Sequence, residues 1–147
     1  MTKTRQKTLM IDLLESAPSI VFLVFLRNQS GLEIAGWVGC LAALMVFVAL
    51  YLLNHKPHPV LLGVNLHILL ATPVIIGIDY FGAEQLASFL ASHAHKGVLL
   101  TVCFVGVLQT VFLAGGFVGR LDLPHKIQTK YSCYMLVAGF IGLIWTF

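Results

Sequence analysis

The sequence has few charged residues for its length, and this scarcity argues against a soluble fold. Only 10% of its 147 residues are Asp, Glu, Lys or Arg, whereas soluble domains usually carry about 25%. Apolar residues make up 59% of the chain. No connection between its apolar stretches is longer than 18 residues, so none could fold as a separate soluble domain. The composition therefore predicts one membrane-embedded domain covering residues 1–147.

Cysteine is scarce as well, and familiar catalytic motifs are missing. The three cysteines, Cys40, Cys103 and Cys133, lie in three different predicted helices and form no CxxC pair. Isolated cysteines of this kind usually pack as small apolar residues, so they indicate neither a disulfide framework nor a metal site. The sequence also lacks a Ser/His/Asp set, a phosphate-binding loop and a paired-carboxylate site. We therefore predict neither an enzyme nor a bound cofactor.

Long apolar stretches are what the sequence has in abundance. At about 1.5 Å of rise per residue, a helix formed by each stretch would be roughly 25 to 35 Å long, which matches the hydrocarbon core of a bilayer. The pattern predicts an all-α, polytopic membrane bundle of about five transmembrane helices. The five predicted spans are residues 9–26, 32–53, 59–78, 97–118 and 131–147.

The longest connection, residues 79–96, has a helical pattern of its own. Leu86, Phe89, Leu90 and His93 recur at helical spacing, and most polar residues of the segment lie elsewhere around the helix. This spacing predicts a short amphipathic helix in the outer membrane interface.

The distribution of basic residues predicts the topology. Cytoplasmic loops of membrane proteins are enriched in Lys and Arg. With a cytoplasmic N-terminus and five spans, seven of the nine basic residues fall on the cytoplasmic side, and only Arg27 and Lys96 fall outside. We therefore predict a multi-pass protein of the inner membrane with its C-terminus outside. Because the basic residues are dispersed along membrane edges, we predict no nucleic-acid partner. The seven are Lys3, Arg5, Lys7, Lys56, Arg120, Lys126 and Lys130.

Four polar residues are predicted to share one layer of the inner leaflet: Glu15, His67, Gln109 and Tyr134. From the rise per residue, Glu15 lies about 9 Å from the cytoplasmic edge, and His67 and Gln109 lie about 12 to 13 Å from it. Two interpretations are open. His67 and Gln109 could form a hydrogen-bonded pair while Glu15 reaches the interface beside Lys7. Alternatively, Glu15 and His67 line an inward-facing cavity that binds a proton or a polar ligand, since ionisable groups in membranes often serve function.

Small residues mark a predicted helix-packing face. Gly115 and Gly119 form a small-xxx-small pair near the inner end of the fourth predicted span. Such pairs let helix backbones approach closely in lipid. Packing within the chain and a homo-oligomer interface both fit this pattern.

Two short stretches carry a resemblance to a known family. The first is LLESAPSIVF at residues 13–22, in which two leucines, an acid and a proline lead into an apolar helix. The second is Leu121-Asp122-Leu123-Pro124, before the last predicted helix. Both stretches resemble the intracellular septation protein A family of bacterial inner-membrane proteins, as do the size and the predicted five spans. The first outer turn departs from that family's Asp-Ile-Tyr-like string, since this chain has Glu33-Ile34-Ala35.

The resemblance implies a non-enzymatic role in cell-envelope maintenance and division, exerted through membrane lipids or other membrane proteins. Glu15 and Pro18 are the two positions that it singles out. Two other functions stay open. One is a small oligomeric transporter or channel that uses the inner-leaflet polar layer. The other is a membrane-embedded haem or redox subunit, although only His67 lies deep enough in a predicted span to act as a haem ligand.

Overall fold

The computed structural model describes residues 3–28, 32–113, 116–118 and 124–146, and these residues form α-helices without any β-strand. The predicted all-α class is confirmed. The helices are α1 (Lys3–Arg27), α2 (Leu32–Leu52), α3 (Pro59–Tyr80), α4 (Glu84–Ser92), α5 (Ala94–Phe112) and α6 (His125–Thr146).

The predicted number of spans needs a correction. Four helices of the described residues, α2, α3, α5 and α6, are long and apolar enough to cross a membrane, whereas five spans were predicted. The remaining long helix, α1, has two acidic residues, Asp12 and Glu15, within its apolar stretch. At least one of these acids is packed inside the bundle, because Glu15 is completely buried.

Helix α1 packs antiparallel along α2. Ile11, near the start of α1, joins Val46 and Leu50, near the end of α2, in a buried apolar cluster. Towards the other end of the pair, a Cβ on Gly39 would lie 3.2 Å from the Cβ of Phe22. These contacts place the basic N-terminal end of α1 beside the C-terminal end of α2.

Helix α3 lies against both α2 and α5. The Cys40 thiol of α2 donates a hydrogen bond to the Leu69 carbonyl of α3, with a distance of 3.4 Å between sulfur and oxygen. On its other side α3 approaches α5 so closely that a Cβ on Gly63 would lie 2.7 Å from the Cα of Val102. Helix α3 is therefore the central helix of the bundle.

Helix α4 corresponds to the predicted amphipathic helix, and it packs lengthwise on α3. Asp79 of α3 and Glu84 of α4 line a common cavity, as do Thr72 and Ala91 further along the two helices. Only His93 separates α4 from α5, with φ −106° and ψ 10°. Helices α4 and α5 thus form an interrupted helix that runs antiparallel to α3.

The fourth predicted span extends too far, because α5 ends at Phe112 rather than at residue 118. Leu113 is extended, and Gly116 has a positive φ of 56°, a conformation that cannot continue a right-handed helix. The Ser132 hydroxyl accepts a hydrogen bond from the Val118 amide at 3.3 Å, which ties this turn to α6.

Helix α6 begins six residues before the predicted start of the last span and packs on α5. Gly106 of α5 faces Leu136 of α6, and a Cβ added to this glycine would lie 2.9 Å from the leucine Cδ2. Gly139 of α6 faces Cys103 of α5 in the same way, with 2.9 Å between an added Cβ and the cysteine sulfur. Most of the remaining described side chains of α6 are exposed. In a membrane these apolar side chains would face lipid or another protein.

Candidate functional site

The Glu15 carboxylate lies at the N-terminus of α3, in the interior of the bundle. Glu15 is 0% exposed, and its Oε2 accepts a hydrogen bond from the His58 amide at 2.9 Å. His58 occupies the N-cap position of α3 but makes no capping bond with its side chain, and Pro59 occupies the first helical turn, where its missing N–H costs no hydrogen bond. A carboxylate at this position interacts favourably with the positive end of the helix dipole. Glu15 therefore joins α1 to the start of α3.

Asn65 makes a second link between α1 and α3. Its Nδ2 donates a hydrogen bond to the Glu15 backbone carbonyl at 2.8 Å, and the residue is only 1% exposed. This carbonyl lies in the turn preceding Pro18, whose ring lacks an N–H and disturbs the helical hydrogen bonds there. The hydrogen bond fixes the orientation of the Asn65 amide. Within the described part of the chain its Oδ1 is buried without a hydrogen-bond partner.

His67 lies at the junction of α3 and α5. Its Nδ1 is 3.2 Å from the Thr101 hydroxyl oxygen, and that hydroxyl donates to the Gly97 carbonyl at 2.9 Å. A Cβ on Gly97 would lie only 2.7 Å from the imidazole Cε1. The ring therefore packs directly on the α5 backbone, where only glycine leaves enough room.

A cavity of about 430 Å³ opens beside His67, between α1, α3 and the interrupted helix. This volume is within the range of about 300 to 1,000 Å³ that is typical of small-molecule sites. The lining is mainly apolar, and four polar side chains interrupt it: Ser19, His67, Thr72 and His95. His95, unlike His67, lies exposed.

His67 also lines a smaller cavity of about 240 Å³ on the α4 side. Ala71, Ile75 and Ala94 are shared by the two cavities, and His93, at the helix break, lines the smaller one. We call the larger cavity and this smaller one the His67 cavities.

A third cavity, of about 600 Å³, lies at the other end of α3. Three carboxylates line it, those of Glu33, Asp79 and Glu84. It shares Thr72 and Ile75 with the larger His67 cavity, so the two spaces adjoin.

The four residues of the predicted polar layer occupy separate environments. Glu15 forms hydrogen bonds with His58 and Asn65, whereas His67 contacts Thr101 on a different helix. Ser19, one turn after Glu15, lines the larger cavity together with His67. The two predicted ionisable residues therefore belong to neighbouring but distinct places.

The other two members of the predicted layer lie outside the His67 cavities. Gln109 is half-buried on α5, and its backbone carbonyl accepts a hydrogen bond from the Leu113 amide at 2.9 Å. Tyr134 is 58% exposed on α6, and the Lys130 amine lies 5.9 Å from the centre of its ring. Neither residue contributes to the candidate site.

Sequence reasoning missed Ser19, Asn65 and Thr101. Each is a polar residue inside an apolar stretch, and this pattern is the sequence signal that could have identified it. Thr101 also follows Gly97 by four residues, the spacing at which a threonine hydroxyl can bond to a backbone carbonyl of its own helix.

Several predicted features lie outside the described residues. These are the packing pair Gly115 and Gly119 and the Leu121-Asp122-Leu123 stretch of the family resemblance. Among the residues that the structure describes, no group of three or more His, Cys, Asp and Glu side chains could hold a metal ion.

No protein-family model, curated protein or solved structure matches this chain. Indications of its function therefore come from its own geometry. Among the described residues, the larger His67 cavity and the buried Glu15 link are two places where polar groups lie inside the bundle.

Proposed function

We propose that this chain is a non-enzymatic protein of the inner membrane that binds a membrane lipid in the larger His67 cavity. The observation that carries the proposal is the composition of that cavity. Apolar side chains from α1, α3 and α5 surround about 430 Å³ of space, and a few polar groups lie among them. An amphipathic ligand suits such a lining, because its tail contacts the apolar walls while its headgroup bonds to the polar groups.

The position of the cavity also supports a ligand taken from the bilayer. Leu23 of α1 lines the cavity and is itself 59% exposed. The cavity therefore extends to the lipid-facing surface of the bundle. A lipid could enter sideways from the membrane without passing through water.

We further propose that lipid binding serves cell-envelope maintenance or division. The support is the resemblance of residues 13–22 to the septation family, together with the burial of the two positions it singles out, Glu15 and Pro18. Protein partners or a second copy of the chain would contact the exposed apolar side chains of α6.

We propose that the N-terminus is cytoplasmic and that the C-terminus lies outside. The four candidate spans alone would leave both ends of the chain on one side, so this orientation also requires α1, which packs antiparallel along α2, to cross the membrane. The cluster of Ile11 with Leu50 places the start of α1 near Lys56. The basic N-terminal residues and Lys56 therefore share one end of the bundle, as the positive-inside rule expects of a cytoplasmic end.

Cysteine labelling tests this orientation. In a variant with the three native cysteines replaced, Ser30→Cys is expected to react with a membrane-impermeant maleimide from outside the cell. Gln128→Cys is expected to react only after the membrane is permeabilised, because three of the four candidate spans separate the two positions. Reaction of both cysteines from the same face would contradict the proposed topology.

Retention of lipid tests the binding proposal. Ala71 lines both His67 cavities, so Ala71→Phe is expected to fill the space and remove most of the lipid that purifies with the protein. The measurement is mass spectrometry of lipids extracted from equal amounts of protein purified in one mild detergent.

Ala138→Phe provides a matched control for this experiment. Ala138 is exposed on α6 and lines neither His67 cavity, so the same substitution there should leave the bound lipid unchanged. Size-exclusion chromatography checks that the unsubstituted protein and both variants are folded. Equal lipid content in these three proteins would refute the proposed binding site.

A small transporter is the second candidate, and the interrupted helix α4–α5 favours it. Broken helices beside a cavity are common at transporter binding sites. Here the break at His93 adjoins the smaller His67 cavity, and the larger one adjoins the acidic cavity at the other end of α3. Saturable movement of a solute by the purified protein in liposomes would establish transport and displace the proposal of a purely binding role.

A further inference from the structure

Resting on the proposed lipid site, we infer that the Thr72 hydroxyl donates a hydrogen bond to the bound lipid, which accepts it through an uncharged carbonyl oxygen. Thr72 lies on α3 and lines both the larger His67 cavity and the acidic cavity beside it. It is the polar side chain that these two spaces share.

The Thr72 hydroxyl departs from the usual behaviour of threonine in a helix. A threonine hydroxyl inside a helix can donate to a carbonyl of the preceding turn. Thr101 and Thr110 of α5 do so, at 2.9 and 2.7 Å. The Thr72 hydroxyl makes no such bond to the Ile68 carbonyl, and it has no other hydrogen-bond partner among the described residues. Its hydrogen is therefore unused.

The proline that follows Thr72 does not use this hydroxyl either. Pro73 has no N–H, so the Leu69 carbonyl lacks its helical donor. The Cys40 thiol of α2 donates to that carbonyl instead, with 3.4 Å between sulfur and oxygen. The carbonyl freed by the proline is thus satisfied from α2, and Thr72 keeps its hydrogen for another partner.

A ligand can reach the Thr72 hydroxyl. Among the described residues, Asn65 Oδ1 is the polar side-chain atom that is fully buried without a hydrogen-bond partner. The Thr72 hydroxyl also lacks a partner, so it is not fully buried and opens to the space that Thr72 lines. Gly36 of α2 lines the larger cavity too, and a Cβ on this glycine would lie only 2.5 Å from Thr72 Oγ1. The hydroxyl therefore lies at the α2 wall of the larger cavity, where glycine leaves room for it.

The depth of Thr72 makes an unused hydroxyl costly. Thr72 follows Pro59 by 13 residues in a helix of 22 residues. At 1.5 Å of rise per residue it lies about 20 Å from the start of α3, near the middle of the helix. The hydrocarbon core at this depth supplies no water, so polar groups there need partners within the protein or its ligand. A lipid that accepts from Thr72 meets this need.

The other polar side chains of the larger cavity already have partners or lie exposed. The Ser19 hydroxyl donates to a carbonyl of its own helix at 3.1 Å. The His67 imidazole is hydrogen-bonded on α5, to a threonine hydroxyl and to the Ala94 carbonyl. His95 is exposed. Thr72 is thus the residue that offers an unused donor inside this cavity.

The surroundings favour an uncharged acceptor. A carboxylate could also accept from Thr72, but moving an unpaired charge into an apolar cavity costs far more than moving a neutral carbonyl. Three carboxylates line the adjoining cavity and would repel an anion bound at Thr72. An ammonium group has no lone pair with which to accept. The ester carbonyl of a lipid is the group that fits.

Infrared spectroscopy with methyl tetradecanoate, labelled with ¹³C at its carbonyl, tests this contact in the purified protein. A hydrogen bond lowers the stretching frequency of a carbonyl. We therefore expect a band below that of the ester in protein-free micelles, and its intensity should saturate as ester is added. Thr72→Val keeps the shape of the side chain but removes the hydroxyl, so it should eliminate this band. It should also weaken ester binding, measured by titration calorimetry, roughly two- to tenfold, as expected for loss of one hydrogen bond.

Two further variants control for indirect effects. Thr72→Ser keeps the hydroxyl and should keep the shifted band. Thr110→Val removes a hydroxyl that donates within α5 and lines neither His67 cavity, so it should change neither the band nor the affinity. Comparison of the ester with tetradecanoate on the unsubstituted protein requires no variant, and we expect the ester to bind more tightly.

Three results would overturn the inference: an unshifted ester band in the unsubstituted protein, an unchanged band in Thr72→Val, or tighter binding of tetradecanoate than of its ester. The lipid-retention experiment is independent of these results. Loss of lipid in Ala71→Phe combined with an unchanged ester band in Thr72→Val would retain the cavity and reject only the Thr72 contact. Equal lipid content in Ala71→Phe and the unsubstituted protein would refute the site itself.

Discussion

Glu15→Ala is expected to destabilise the protein severely, lowering its free energy of unfolding by about 1 to 3 kcal/mol from one lost acceptor alone. The His58 amide donates to Glu15 Oε2 at 2.9 Å, and the substitution would leave that donor without this partner. The side chain is also completely buried, so its removal would leave a cavity that adds to the cost. Thermal unfolding in detergent measures the effect.

Glu15→Gln separates the hydrogen bond from the charge. The glutamine side-chain oxygen can still accept from the His58 amide, so we expect a folded protein. We expect impaired function nonetheless, measured as complementation of the envelope phenotype in a strain lacking the gene. Asp12→Asn is the comparison, because Asp12 is only half-buried and should matter less.

The outcomes for Glu15→Gln have different meanings. Full complementation would reduce Glu15 to a structural cap of α3 and contradict a role for its charge. Loss of both folding and function would show that the carboxylate itself is required for the fold. Neither result would decide whether the His67 cavities bind lipid, which the lipid-retention experiment tests separately.

Much of the fold was predictable because lipid imposes a simple pattern on sequence. A helix that faces hydrocarbon must be apolar over about 20 residues, so α2, α3, α5 and α6 could be located from composition alone. Their ends were less accurate. The turn at Gly116 depends on a hydrogen bond between Val118 and Ser132, which are 14 residues apart, and no local pattern indicates such a bond.

The candidate site was only partly predictable, because the depth of a residue in the membrane does not determine which neighbouring helix its side chain faces. Glu15 and His67 were predicted at similar depths, and both are polar positions within the bundle. Asn65 and His67, however, differ by two residues on α3, so they face different neighbours. Asn65 meets α1 at Glu15, while His67 meets α5 at Thr101.

The interrupted helix α4–α5 shows what periodicity can and cannot indicate. The spacing of Leu86, Phe89 and Leu90 predicted a short helix, and α4 is present as Glu84–Ser92. Its packing along α3 could not be predicted in this way, because it depends on the turn at Gly82, which has a positive φ of 81°. This turn directs α4 back towards His67.

Gly63→Ala is the second substitution for which we expect a large effect, and it tests the central contact of the bundle. The new Cβ would lie 2.7 Å from the Cα of Val102, a backbone atom that cannot move without shifting α5. We expect a loss of about 1 to 3 kcal/mol in unfolding free energy, the usual cost of overpacking, measured by unfolding in mixed micelles.

Gly77→Ala on the same helix is the control. Apart from the nearby backbone of α3 itself, no atom of the described residues lies within 4 Å of its Cβ position. Alanine should therefore be neutral there, or stabilising by up to about 1 kcal/mol through its helix propensity. Because α3 carries both His67 and Asn65, Gly63→Ala should also weaken lipid retention, whereas Gly77→Ala should not. Equal stability of the two variants would mean that α3 and α5 do not approach each other as closely as the structure shows, and the position of His67 against Gly97 would then lose its support.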